Sequence, residues 1–242
     1  MLAKFRLFRS LSILVAFIFC AASVFSYEIA EDEIRLTDPP IIQFENFTGV
    51  PDKNETAEQI KGIGRFLGSA RELGQQTLDY AGRYRIIRVA DQENPYMLQA
   101  DILILLPDAR VNHIDNLRRI IAGYLEQTYQ YSVEDAALLA QFVTIYNAVH
   151  RQDLEFFTGR YSPAVLQVLR ADIAGLPLSY RDWPGGSQIV IPIRDPDAQQ
   201  QLGTISPGEL TDDEVMDDLR TRQDMGLEDR RDMVDLFERV IE

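Results

Sequence analysis

Residues 82–107 read GRYRIIRVADQENPYMLQADILILLP, and they decide the fold class. GRYRIIRVA (82–90) alternates partly between apolar and charged side chains, as a half-buried strand does. MLQADILILLP (97–107) is a continuous apolar run with one early acid, Asp101, which suits a strand covered on both faces. Asp91 to Pro95 is turn-forming, so the two runs are expected to pair, with the second central in a sheet.

Helical periodicity follows at once. From Asn112 to Tyr131 the residues Ile114, Leu117, Ile120, Ile121, Tyr124, Leu125 and Thr128 fall on one face of an amphipathic helix. Ser132 then opens a second helix as its cap, with Asp135 near the positive end of the dipole. Leu138, Leu139, Phe142, Val143, Ile145, Tyr146 and Val149 cover more than one stripe, so this helix is expected to be enclosed on most sides. DLEFFTGRY (153–161) and the segment opened by Ser162-Pro163 read as two shorter helices, the second stopped by Gly175 and Pro177. SQIVIPI (187–193) reads as another strand, its Pro192 suited to a sheet edge or strand end.

N-terminal to the central stretch, PPIIQFENFTGV (39–50) reads as a strand and its exit turn, and Thr56 begins a glycine-weakened helix through Leu73. The expected fold is α+β: a small mixed sheet from the 40s, 80s, 100s and 187–193, packed on a helical layer built from 113–171.

Residues 1–26 carry Lys4, Arg6 and Arg9, no acid, and an apolar run from Leu11 to Phe25, the layout of a secretory signal peptide with cleavage before Tyr27. The run is shorter than the ~20 residues a membrane-spanning helix needs. Phe19 before Cys20 argues against lipidation of that cysteine. Removing this segment leaves 21 basic and 38 acidic residues, net −17 against −14 for the 242-residue chain, and no cysteine. A disulfide framework and a thiolate zinc site are thereby excluded, and the acidity argues against nucleic-acid binding. A chain 46% hydrophobic can still bury one core. Residues 209–242 hold 13 acids and five arginines with a thin apolar repeat, the pattern of solvated helices seeking a partner. The organisation expected is a signal peptide at 1–26, a linker at 27–37, an α+β domain at 38–195, a linker at 196–208 and an acidic helical tail at 209–242.

Chemistry-bearing motifs are weak. Gly62, Gly64 and Gly68 lie inside a helical pattern without a following Lys-Ser/Thr, so close packing or a kink outweighs a phosphate loop. His113 and His150 have no metal-ligand spacing, and no G-x-S-x-G elbow presents a nucleophile. Asp212, Asp213, Glu214, Asp217 and Asp218 lack the order of a calcium loop. No catalytic residue, metal or cofactor is therefore expected. One polar-aromatic set, Tyr146, Asn147, Asp153, Tyr180, Asp182 and Trp183, could line a ligand pocket in a periplasmic hydrolase or small-ligand-binding domain, although a satisfied core explains the same residues.

EQIKGIGRFL (58–67), NLRRIIAGYLEQTYQY (116–131), TIYNAVHRQDLEFFTGRY (144–161) and AGLPLSYRDWPGGSQIVIPI (174–193) resemble, in order and separation, the N-terminal region of the spirochaetal 83/100 kDa antigen family. The resemblance runs from about residue 37 to the C-terminus. It implies an exported, envelope-associated protein of undefined molecular activity, without catalytic residues to transfer. The role expected for such a chain is interaction or scaffolding, with an unidentified envelope protein as partner and no spanning helix after signal removal. Long members of that family look to continue into a charged coiled-coil stretch, so this chain is expected to be a short member or an incomplete one.

Overall fold

The computed structural model describes residues 43–46, 56–91, 93–94, 96–194 and 205–221. Along these run α1 (Ala57–Gly68), β1 (Thr77–Tyr80), β2 (Tyr84–Val89), β3 (Gln99–Leu105), α2 (Ile114–Tyr129), α3 (Val133–Val149), α4 (Leu154–Thr158) and α5 (Pro163–Val168). A 3-10 turn (Tyr180–Asp182), β4 (Ser187–Ile193), α6 (Pro207–Leu210) and α7 (Asp213–Thr221) complete them. The fold is α+β.

Local chemistry sets the helix starts. Thr56 Oγ1 accepts from Gln59 N at 3.2 Å while Thr56 N donates to Gln59 Oε1 at 2.7 Å, a reciprocal capping box that satisfies donors the first turn leaves free. Ser132 Oγ accepts from Asp135 N at 3.1 Å and opens α3 in the same way. α3 is buried on most sides, as its broad apolar pattern predicts.

The sheet order is β1-β2-β3-β4, and every ladder is antiparallel. β2 and β3 pair with Tyr84 opposite Leu105 and Val89 opposite Ala100, and β3 is an interior strand, as its apolar run implies. Two expectations are corrected. The sheet is antiparallel where a mixed one was expected, because β1, β2 and β3 follow one another through hairpins; parallel pairing survives only in isolated bridges such as Glu45–Ser179 and Leu98–Tyr161. The strand expected in the 40s contributes only that Glu45 bridge among its described residues, 43–46; 39–42 and 47–50 lie outside the described residues. The fourth strand is instead β1, TLDY, held to β2 by a turn in which Ala81 (φ 51°) and Gly82 (φ 65°) both take the left-handed conformation. Arg83 N closes this turn on Tyr80 O at 2.9 Å.

α1 and α2 cross unusually closely, and the glycines explain how. A Cβ on Gly64 would stand 1.8 Å from Ile120 O, one on Gly123 would stand 2.2 Å from Lys61 O, and one on Gly68 would stand 2.6 Å from Gln127 Cβ. Backbone meets backbone where side chains would hold the helices apart. At Gly62, by contrast, an added Cβ would meet nothing within 4 Å. The Gly62–Gly68 series is thus a packing surface at two of its three positions.

Gly64→Ala is expected to destabilise the fold by at least ~3 kcal/mol through overpacking, and Gly62→Ala to stabilise it by roughly 0.5–1 kcal/mol through helix propensity. Urea unfolding followed by circular dichroism checks both signs.

Candidate functional site

In β4 the backbone groups of Ser187, Ile189, Ile191 and Ile193 pair with β3, so those of Gln188, Val190 and Pro192 point to the outer edge. Buried amides there need partners. Gln188 N donates to Ile173 O at 2.8 Å, and Gly175 N donates to Gln188 O at 2.8 Å. Val190 is matched by a side chain: Asn147 Oδ1 accepts from Val190 N at 2.7 Å and Asn147 Nδ2 donates to Val190 O at 2.7 Å. The carboxamide of a helix residue thereby stands in for one residue of a fifth strand. Pro192 has no N–H, and its carbonyl accepts from Ser206 N at 3.1 Å. The edge is closed along its length, and β4 is buried at every position.

One residue earlier on α3, the fully buried Tyr146 hydroxyl lies 2.8 Å from Tyr161 Oη and donates to Glu209 Oε1 at 2.9 Å. Glu209 also pairs with Arg160 Nε at 3.2 Å. Burial pushes both phenols well above their usual range. Burial also raises the Glu209 carboxyl, against the opposing pull of the Tyr146 hydrogen bond and of Arg160. One turn on, His150 Nε2 lies 2.7 Å from Asp212 Oδ2. Its ring stacks on Phe156 at 3.5 Å and 8°, and the Arg160 guanidinium sits 3.8 Å from the Phe156 ring centre. Asp212 Oδ1 in turn accepts from Val215 N at 3.0 Å. Leu210, Val215 and Met216 are buried beside these contacts, so 205–218 is folded against the end of α3.

The six residues singled out from the sequence fall into three places. Tyr146 and Asn147 are interior residues of α3, spent on the contacts above. Asp153 caps α4, accepting from Phe156 N at 2.9 Å, and is exposed. Tyr180, Asp182 and Trp183 share the turn leading into β4: Tyr180 is half-buried, Asp182 is exposed, and Trp183 is fully buried with Nε1 donating to Pro177 O at 2.6 Å. An open cavity of about 240 Å³ lies elsewhere, at the C-terminal ends of α1 and α2, lined by Arg71, Glu72, Gln127, Thr128, Tyr129 and Gln130.

A second buried polar group lies beneath the sheet and was not singled out from the sequence. Asp101 Oδ2 accepts from Tyr129 Oη at 2.5 Å and from Tyr124 Oη, and Oδ1 faces Arg88 Nε at 3.6 Å. Burial raises the Asp101 carboxyl while Arg88 and the two phenols oppose it. The signal was present in the lone acid of the 97–107 run, with Arg88 in register across the hairpin. Among the described residues no group of three or more His, Cys, Asp or Glu side chains is placed to hold a metal ion, and no helix is long and apolar enough to cross a membrane.

The fold and this interior define an α+β domain whose buried polar groups tie its elements together. The chain belongs to the Borrelia P83/100 protein family, whose model matches residues 35–242 and so spans all four segments that carried the resemblance. No curated protein and no solved structure matches it.

Two substitutions test this interior. Asn147→Ala strands the Val190 N–H and C=O together and is expected to cost about 3 kcal/mol or more, against about 1 kcal/mol for Tyr146→Phe, both read from urea midpoints. A carboxyl whose folded pKa is raised binds its proton more tightly in the folded state. Its contribution is therefore present at low pH and lost as pH rises through the folded pKa. Between about pH 7 and about pH 5 the native chain should gain stability on acidification relative to Glu209→Gln, read as the difference in the pH slopes of the two unfolding free energies.

Proposed function

We propose that this protein is an exported component of the spirochaetal cell envelope and that its domain acts by interaction or scaffolding, without catalysis. The observation that carries the second half is the state of the groups a pocket would use. The Asn147 carboxamide is engaged at both ends, the Trp183 indole N–H is bonded to Pro177, and the Tyr146 hydroxyl is held between Tyr161 and Glu209. The export half rests on residues 1–26, whose basic start and apolar run suit translocation. Family membership supports the envelope address.

The partner in this reading is an envelope protein with a basic face. Segment 205–218 turns Leu210, Val215 and Met216 inward and leaves Asp213, Glu214 and Asp217 outward, a ridge of acids on a chain already rich in them. Such a ridge steers a basic surface toward the domain and fixes its orientation.

Residues 1–26 fused to a reporter enzyme active only outside the cytoplasm should yield activity, and replacing Lys4, Arg6 and Arg9 with Glu should remove it. The mature chain should recover one discrete partner from an envelope extract, and reversing Asp213, Glu214 and Asp217 to Lys should lose that partner while the melting curve stays cooperative. Retention of the partner by the reversed form sinks the acidic-ridge reading.

A further inference from the structure

The two edges of the sheet are treated in opposite ways. β4 is closed by Ile173, Gly175, Asn147 and Ser206, whereas β1 is open. Arg88 N donates to Gln76 O at 2.7 Å, and the β1–β2 register pairs Leu78 with Ile86 and Tyr80 with Tyr84. The backbone groups of Gln76, Leu78 and Tyr80 therefore face β2, and those of Thr77 and Asp79 face outward. Both residues are exposed, and among the described residues neither their N–H nor their C=O groups have a partner. Open edges of this kind are templates for another strand.

We propose that the outer edge of β1 is a self-docking surface, on which two copies of this chain pair their β1 strands antiparallel and join two four-stranded sheets into one.

The side chains select a second copy as the occupant. In the symmetric register that pairs the outward groups, Thr77 of each copy stands opposite Asp79 of the other, and Leu78 stands opposite Leu78. Four backbone hydrogen bonds form between the two threonines and the two aspartates. No like charges are placed directly opposite one another, which an Asp79–Asp79 register would do. Asp79 is also held by Arg85, at 2.6 Å through Nε and 2.7 Å through the second guanidinium nitrogen, so its charge is balanced before the copies meet. On the opposite face of the strand, Leu78 and Tyr80 are only partly buried, and the Phe66 ring packs edge-on against Tyr80 at 5.4 Å while remaining 46% exposed. Leu73, in the turn leading toward β1, is 60% exposed. The pairing places Leu78 against its symmetry mate on the same face of the strand as Tyr80. Interfaces built this way are isologous: each copy presents the same patch.

The mature chain makes the test clean, because its sequence after residue 26 holds no cysteine. Leu78 faces itself at a non-hydrogen-bonded position of the new ladder, where Cα atoms come close enough for a disulfide. Leu78→Cys should therefore oxidise to a covalent dimer on a non-reducing gel at least tenfold faster than Tyr96→Cys, whose parent residue is fully exposed and distant in sequence from the edge. An equimolar mixture of Thr77→Cys and Asp79→Cys should cross-link faster than either variant alone, which reads the register directly. Sedimentation of the unsubstituted chain, free of any folding defect, should show a concentration-dependent dimer. A monomer at all concentrations, or equal cross-linking at Leu78→Cys and Tyr96→Cys, overturns the proposal, including the case in which the edge serves a different protein.

Discussion

Two hydrogen bonds between the Asn147 carboxamide and the backbone of Val190 hold the domain in its present form. β4 lies at the end of the sheet and is buried throughout, so its outer amides have no access to water. An unmatched buried N–H or C=O costs about 1–3 kcal/mol, and Val190 would leave one of each. A side-chain amide reproduces the donor and acceptor of a peptide group, which is why an asparagine can complete an edge where no strand fits. The same contacts fix how α3 sits against the sheet. The neighbouring Asn147 carbonyl, which accepts from Leu176 N at 2.7 Å, ties the 174–177 segment to the same helix.

Other parts of the molecule follow the same rule of satisfying buried polarity locally. Asp101 is taken out of water beneath the sheet and is held by two phenols, with Arg88 beside it. A buried ionisable pair is weak evidence for net stability, but breaking it leaves an uncompensated group, so these four residues constrain how α2 lies on β2 and β3. The glycine crossing of α1 and α2 acts through shape alone. At Gly64 and Gly123 the absence of Cβ lets one backbone rest on the other, and the interhelical gap closes without side chains to fill it.

The acidity of the chain is divided by this packing. At Glu209 and Asp212 the carboxylates are engaged by Tyr146, Arg160 and His150, and the apolar residues between and beyond them are buried. Asp213, Glu214 and Asp217 remain on the surface. Acidic residues that look alike in sequence thus have two roles, anchoring the segment and charging its outer side.

Much of the fold was legible in the sequence because it rests on local preference and burial period. Ser132 caps where its hydroxyl predicts, a helix opens at Thr56 as its pattern requires, 84–89 and 99–105 pair as the apolar runs require, and Pro192 occupies an edge. The family, too, was carried by contiguous segments. β1 was missed because TLDY is a short, half-exposed strand whose identity comes from its partner. The sequence flagged Tyr146, Asn147 and Trp183 as polar-aromatic groups worth notice, but composition and spacing could not reveal what each one bonds to. The sequence by itself determined the helices, three of the four strands, the acidity and the kinship of this protein. Tertiary structure alone decided that Asn147 closes one sheet edge, that Gly64 meets α2 and that Asp212 reaches His150. These contacts join residues tens of positions apart, and their hydrogen bonds and close approaches depend on where the folded chain brings them, which no local periodicity records.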